Sequence, residues 1–230
     1  MWISGVIVLN NKTHIAIDGP AGSGKSTVAK QLAKRLDMLY VDTGAMYRAI
    51  TYKVINSGIS VKDEKIILEI ARAADVVFKD TGIYLDGKDV TKEIRSPLVD
   101  QWVSQISKIP GVRKLMAGVQ RKMAENHNVV MDGRDIGTVV LPDAKFKFYL
   151  TASIDERAKR RYKDLKQNNS RTNLEQVKTE IERRDLLDSE REHAPLKTAD
   201  DAVVIDTTGK GVEAVLKEIM DVMGGKGDVL

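Results

Sequence analysis

The residues best suited to chemistry lie in Gly19-Pro20-Ala21-Gly22-Ser23-Gly24-Lys25-Ser26, which fits the spacing G-x-x-x-x-G-K-[ST] at every required position. Glycines at these intervals let successive backbone N–H groups turn inward around a phosphate. A helix that follows points its positive end at the same anion. Lys25 is then placed to reach the outer phosphates of a nucleoside triphosphate, and the Ser26 hydroxyl to hold Mg²⁺ directly. A glycine-rich turn with no ligand would share the glycines but not the flanks. His14-Ile15-Ala16-Ile17-Asp18 reads as a short buried strand, and Thr27 to Leu36 carries apolar residues at helical spacing.

Two further polar strings follow apolar runs. Asp42-Thr43-Gly44-Ala45-Met46-Tyr47-Arg48 comes after Met38–Val41, and Asp132-Gly133-Arg134-Asp135-Ile136-Gly137-Thr138 after Asn128–Met131. In open α/β sheets the carboxyl ends of strands face the crevice where ligands bind. The C-terminal half adds Arg157, Arg160, Arg161, Arg171, Arg183, Arg184 and Arg191. Arginine suits phosphoryl chemistry because its planar fork pairs bidentately with phosphate oxygens and stays charged. Asp155, Glu156, Glu180, Glu182 and Asp185 lie nearby, so a solvated, salt-bridged helix pair is the competing reading. The phosphate loop and the polar break Gln167-Asn168-Asn169-Ser170 favour a hinged lid closing over ATP.

The elements that must position these residues alternate as strand and helix. A helix from Met46 to about Ile55 and strands at Asn128–Met131, Phe146–Leu150 and Ala202–Asp206 give the rhythm of a parallel sheet. Between Ser60 and Pro97 the rhythm changes. Asp63 caps a helix through Ala73, and short antiparallel runs at Asp75–Lys79, Ile83–Leu85 and Lys88–Val90 turn through Asp80-Thr81-Gly82 and Asp86-Gly87. Pro97 opens a helix with Ser96 as its cap and Val99, Trp102, Val103 and Ile106 on one face, and Val112–Ala124 forms the next. Ser153–Glu156 has a capping-box pattern opening a helix to about Asp164, Asn173–Gln176 caps another, and Val212–Met223 closes the chain before a frayed tail at 224–228.

The composition excludes several classes. With no cysteine there is no disulfide, thiolate metal site or cysteine nucleophile. The charge of +4 is a mild excess, without a Lys/Arg tract interleaved with aromatics, so a polyanionic small substrate fits better than nucleic acid. Residues 1–9 lack a positive n-region and a cleavage site, and the run is too short to span a bilayer. The guanine-reading N-K-x-D and the transporter signature L-S-G-G-Q are absent, which leaves a small kinase ahead of a GTPase switch. The rivals are a kinase for another small acceptor (UMP/CMP, AMP or shikimate) and a nucleotide-binding switch without turnover.

Taken together, Asp18–Ser26, Asp42–Arg48, Asp132–Val140, Glu180-Ile181-Glu182-Arg183-Arg184-Asp185 through Arg191, and Ala194-Pro195-Leu196 closely resemble the bacterial cytidylate kinases, in unbroken order from about Thr13 to Met223. The resemblance implies the P-loop nucleoside monophosphate kinase fold, a three-layer α/β/α core with a central parallel sheet, an inserted NMP-binding subdomain and a helical lid. The expected layout is a core at about 13–59, 108–152 and 196–223, a CMP-binding insert at about 60–107, a lid at about 153–195, and an extension at 1–12. The implied activity is transfer of the γ-phosphate of ATP to CMP and dCMP, with Mg²⁺ required, in a cytoplasmic monomer that engages neither nucleic acid nor membrane.

By resemblance, Gly19, Pro20, Ala21, Gly22, Ser23, Gly24, Lys25, Ser26, Thr27 and Arg160 bind ATP. Tyr47, Arg48, Arg134 and Arg191 belong around the acceptor phosphate, Ser104, Arg113 and Asp135 read cytosine, and Arg184 with Asp188 lies near the ribose. Thr43, also CMP-binding, stands where some members have serine and keeps the hydroxyl's donor and acceptor options. Lys25, Arg134, Arg160, Arg184 and Arg191 are the expected catalytic cations. Asp132, at the end of its strand, is expected to hold Mg²⁺ through water. The base-reading role has a physical rationale. A carboxylate at Asp135 accepts from the cytosine amine and would face a lone pair in uracil, and polar sites of this kind discriminate by up to ~10⁴.

Overall fold

The structure, a computed structural model, describes residues 12–79, 82–167 and 172–225. Residues 1–11, Asp80-Thr81, 168–171 (Arg171 among them) and 226–230 lie outside the described residues, and with them nearly all of the expected extension, the polar break after Gln167 and the tail from Lys226. Gly224 and Gly225, expected to fray, instead end the last helix. The described residues form two compact units, one from 12–40 and 123–225 and the other from 41–122.

The first unit is built on a sheet with strand order β2-β6-β1-β7-β8. Its strands are β1 (His14–Asp18), β2 (Leu39–Asp42, which enters the second unit at Val41), β6 (Val129–Gly133), β7 (Phe146–Thr151) and β8 (Val203–Asp206). β1 runs parallel to both β6 and β7, and β7 parallel to β8. Parallel strands buried on both faces read as near-continuous apolar runs, and Ile15, Ala16, Ile17, Val129, Val130 and Met131 are fully buried. Helix α1 (Lys25–Arg35) lays Val28, Ala29, Leu32 and Ala33 against Ile15, Ile17, Phe146 and Phe148. α8 (Val212–Gly225) adds Val215, Leu216, Ile219 and Met223 to the same core. α6 (Ile154–Gln167) and α7 (Leu174–Ser189) pack as a pair around Ala158, Val177 and Ile181.

The second unit contains α2 (Thr43–Asn56), α3 (Glu64–Arg72), an antiparallel sheet of β3 (Val76–Lys79), β4 (Gly82–Leu85) and β5 (Lys88–Asp89), α4 (Pro97–Ser107) and most of α5 (Pro110–Asn126). It takes in α2 as well as the 60–107 segment. Ala45 and Ala49 of α2 share a core with Ile83, Leu85, Val90 and Ile94, and small residues there let the helix lie close to the strands.

Two capping expectations need correction. Ser96 occupies the N-cap of α4 with Pro97 in the first turn, but its side chain makes no capping hydrogen bond. At α6, Ser153 Oγ accepts from Glu156 N (3.3 Å), yet the Glu156 carboxylate is drawn to Arg160 (2.9 Å), so only half of the capping box forms. At α7 both halves form, Gln176 N donating to Asn173 Oδ1 (2.8 Å) and Asn173 N to Gln176 Oε1 (3.2 Å).

Candidate active site

β1 is the strand about which the order of the sheet reverses, with β6 on one side and β7 on the other, and the Gly19–Ser26 loop leaves its carboxyl end. The loop cannot be built from other residues at its start. Gly19 has φ +150°, and a Cβ there would lie 2.1 Å from the Leu150 carbonyl oxygen. α1 begins at Lys25 with no acidic residue in its first turn and Lys34 and Arg35 in its last, so charge complements the helix dipole and the amino end is left for an anion.

Parallel register sets Ile17 beside Asp132 and Asp18 beside Gly133, which carries the end of β6 to the loop. There Ser26 Oγ donates to Asp132 Oδ2 (2.7 Å) and the Tyr40 hydroxyl donates to Oδ1 (2.8 Å). Tyr40 was not singled out by the sequence; it fixes the second oxygen of the carboxylate. A hydroxyl and a carboxylate side by side are the hard oxygen donors that a divalent cation such as Mg²⁺ takes when phosphates supply its other ligands. Ser26 would hold such an ion directly and Asp132 through water.

Lys25 is buried and its Nζ donates to Pro20 O (2.8 Å). Burial lowers its pKa to about 7; Arg134 and Arg184 push the same way, against Asp132 and Asp188. Arg134 Nε donates to Asp188 Oδ2 (2.8 Å), and Arg191 Nε donates to the Asp188 carbonyl (3.2 Å). Burial alone would raise the Asp188 pKa, but Arg134, Arg184 and Arg191 outweigh it and hold the carboxyl below its ordinary value. The structure therefore gathers Lys25, Arg134, Arg184, Arg191 and Asp188 in one electrostatic cluster beside Ser26 and Asp132.

The question of lid or solvated helix pair resolves residue by residue. Arg183 pairs with Glu180 and Lys178 with Asp155 on exposed surface. Arg160 turns inward, donating to Thr207 O (2.6 Å) and Thr207 Oγ1 (2.9 Å), with Glu156 on its Nε. Thr207 is itself buried, its hydroxyl 3.1 Å from Ser23 O, so Arg160 reaches the phosphate loop through it. Arg157, grouped by sequence with the phosphate-facing arginines, is instead bonded to Ala152 O, Ala21 O and Asp185. Its guanidinium is consumed by the protein.

Asp135 is buried at the head of a single π turn, Ile136–Val140. The turn is set by Asp18, whose carboxylate accepts from Ile136 N (2.9 Å) and Gly137 N (2.8 Å). Asp18 heads the Asp18–Ser26 string, but the sequence assigns it no role. Burial raises its pKa to about 6; the two amides and Lys25 oppose the rise, and Asp135 adds to it.

In the second unit, Thr43, Tyr47 and Arg48 lie on α2 and are all buried. The Arg113 guanidinium stands 5.5 Å from the centroid of the Tyr47 ring, within cation–π range, and its Nη1 donates to Ser107 O (3.1 Å). Ser107 Oγ in turn donates to the carbonyl of buried Ser104 (3.2 Å). Arg48 Nη2 pairs with Asp100 (2.6 Å), and its Nη1 donates to Ile94 O (3.3 Å). Arg113 thus links the Tyr47 ring to the Ser104–Ser107 turn, while Asp135, expected to read the base with Ser104 and Arg113, belongs to the first unit.

Set against known proteins, residues 15–224 match the family model for cytidylate kinase. This chain belongs to the cytidylate kinase family. A cytidylate kinase from Caldanaerobacter subterraneus subsp. tengcongensis is 54% identical over 214 residues, covering 93% of this chain and 96% of that protein. Another from Clostridioides difficile is 53% identical over 206 residues, covering 90% and 95%. Among solved structures, an uncharacterized protein from Eubacterium ventriosum shares the fold at a TM-score of 0.53 and 14% identity, covering 94% of this chain and 99% of that one. Membership places the phosphate loop in a family whose name specifies an acceptor, cytidylate. No described helix is long and apolar enough to cross a membrane.

Proposed function

We propose that this chain transfers the γ-phosphoryl group of ATP to CMP, and also to dCMP, giving CDP or dCDP and ADP. The observation that carries the reading is the buried surplus of cations beside the phosphate loop. Lys25, Arg134, Arg184 and Arg191 are balanced in part by Asp188 and Asp132, and burial depresses the lysine pKa. Two nucleotides that bring phosphates supply the missing negative charge.

Phosphoryl transfer needs positioning and charge neutralisation more than covalent chemistry. The CMP phosphate already carries the attacking oxygen, so no residue need act as a strong base. Gly19 to Thr27 bind the ATP phosphates with Arg160, and Lys25 follows the transferring group. Arg134, Arg184 and Arg191 neutralise the charge that spreads over its oxygens, and a single arginine of this type is worth ~10³ or more in turnover. Ser26 would hold Mg²⁺ directly and Asp132 through water, and the ion would neutralise charge on the phosphates. For the acceptor, Tyr47, Arg48, Arg134 and Arg191 serve the CMP phosphate, Ser104, Arg113 and Asp135 read the base, Arg184 and Asp188 meet the sugar, and the Thr43 hydroxyl adds a further contact to CMP.

The deciding experiment is ADP release measured in parallel with CMP, dCMP, UMP, AMP and GMP. The expected order puts CMP and dCMP well above the rest. Faster turnover of AMP or UMP would overturn the acceptor, and ATP binding without any CDP would turn the chain into a nucleotide switch.

A further inference from the structure

Ala21 lies within the phosphate loop, and both of its backbone polar groups are held by the helix pair. Its N–H donates to Asp185 Oδ1 (3.1 Å) on α7, and its carbonyl accepts from Arg157 Nη1 (3.1 Å) on α6. Arg157 also pairs with Asp185 and donates from Nε to Ala152 O (3.1 Å), so its guanidinium is held on three sides. The Ala21 methyl packs with Ala158, Val177 and Ile181, the core between the two helices. At the next residue, Gly22 has φ +76°, and a Cβ there would lie 3.0 Å from Arg157 O and 3.1 Å from Arg157 Cβ, so the loop touches α6 with no space between them.

We propose that Arg157 and Asp185 are positioning residues for ATP: by fixing both polar groups of the Ala21 peptide, they set the curvature with which the following amides converge on the triphosphate. The root of the helical pair is then clamped to the loop. Any closing motion of the lid is confined to the part of α6 beyond Arg157 and of α7 before Asp185. The proposal rests on the reading of Gly19–Ser26 as the ATP site. Neither residue touches a phosphate; both act through the backbone of Ala21. Backbone amides misplaced by a fraction of an ångström lose phosphate contacts that the acceptor site does not share.

The test is steady-state kinetics with ATP and CMP varied separately, together with thermal midpoints, on Asp185→Ala, Arg157→Lys, Asp185→Asn and Lys178→Ala. Asp185→Ala and Arg157→Lys should raise KM for ATP about tenfold and leave KM for CMP within about twofold, because a lysine cannot span Ala152, Ala21 and Asp185 at once. Asp185→Asn, whose amide oxygen still accepts from Ala21 N–H, should recover most of the ATP affinity. Lys178→Ala breaks the exposed pair with Asp155 that also joins α6 and α7, and should change neither constant. If KM rises equally for ATP and CMP, or only the thermal midpoint falls, the pair is a structural strut and the proposal fails. Should Asp185→Ala not fold, an unchanged ATP KM in Arg157→Lys overturns it alone. Wild-type protein that shows no ATP-dependent turnover would instead remove the reading of the loop itself.

Discussion

Asp18 offers a sharp test of the electrostatics at the head of the loop, because two strong effects on it oppose each other. Its carboxylate accepts the Ile136 and Gly137 amides at 2.9 and 2.8 Å, which favours the charged form. Burial disfavours it and wins, raising the pKa from 3.8 to about 6, with Asp135 adding to the rise and Lys25 opposing it. A folded-state pKa above the unfolded value means that the native protein binds more protons between the two. The contribution of Asp18 to stability must then fall as pH rises through that window. Two pKa units correspond to ~3 kcal/mol, of which about half is lost between pH 5 and pH 7.5. Asp18→Asn removes the titration, so the stability of wild type minus variant should drop by ~1.5 kcal/mol between those pH values. Urea titrations followed by circular dichroism at each pH measure the difference, and the Asp18 carboxyl carbon resonance, identified by its loss in the variant, gives the pKa directly. A difference that grows in favour of wild type as pH rises would show that the two amides outweigh burial and would refute the reasoning.

Other perturbations act on single parts of the site. Lys25→Met should lower kcat by about 10² or more, with an unchanged circular dichroism spectrum, because it removes a charge aimed at the moving phosphoryl group rather than a packing contact. Ser26→Ala should raise the Mg²⁺ concentration needed for half-maximal turnover several-fold, checked by metal titration at saturating ATP and CMP. Asp135→Asn should narrow the preference for CMP over UMP, measured as the ratio of the two kcat/KM values, and unchanged selectivity would count against its role in reading the base. Gly19→Ala should abolish ATP binding and destabilise the fold, since its methyl would meet the Leu150 carbonyl at 2.1 Å; a thermal midpoint equal to wild type would contradict this.

What was legible in the sequence is what short-range order determines. The loop, its strand and its helix are contiguous, and the apolar runs of β1, β6 and β7 mark their own burial. Element edges were less visible: α2 begins at Thr43 rather than Met46, because Asp42 caps it by accepting from Ala45 N (2.8 Å). β6 runs on through Asp132 and Gly133 because β1 is there to pair with them. The positioning residues were not legible for a different reason. Arg157 meets Ala21 across 136 residues, and Thr207 meets Ser23 across 184, so nothing in the local spacing separates them from a solvated arginine or a strand-end threonine. Resemblance could single out Arg160 but not say that it reaches the loop through Thr207. Tyr40 and Asp18 had one usable signal, a polar group at the carboxyl end of a strand next to the loop.

The same burial that raises the Asp18 pKa makes the neighbouring cationic cluster costly in the free protein. A lysine with its pKa drawn down to about 7 is short of counter-charge, and Arg134 and Arg184 make that worse rather than better. Asp188 cannot repair it alone, because three arginines already draw on its carboxylate. Bringing Lys25, Arg134, Arg184 and Arg191 together therefore costs stability in the free protein, and the cost is returned only by ligands that carry several negative charges. A nucleotide with one phosphate meets part of this demand and a triphosphate meets more. On the proposed reading, the two together meet it best while the phosphoryl group passes between them. Differential stabilisation of that state over either bound nucleotide is the condition for a rise in kcat rather than in affinity alone. On that reading, the unfavourable electrostatics of the free protein are one source of its catalytic power.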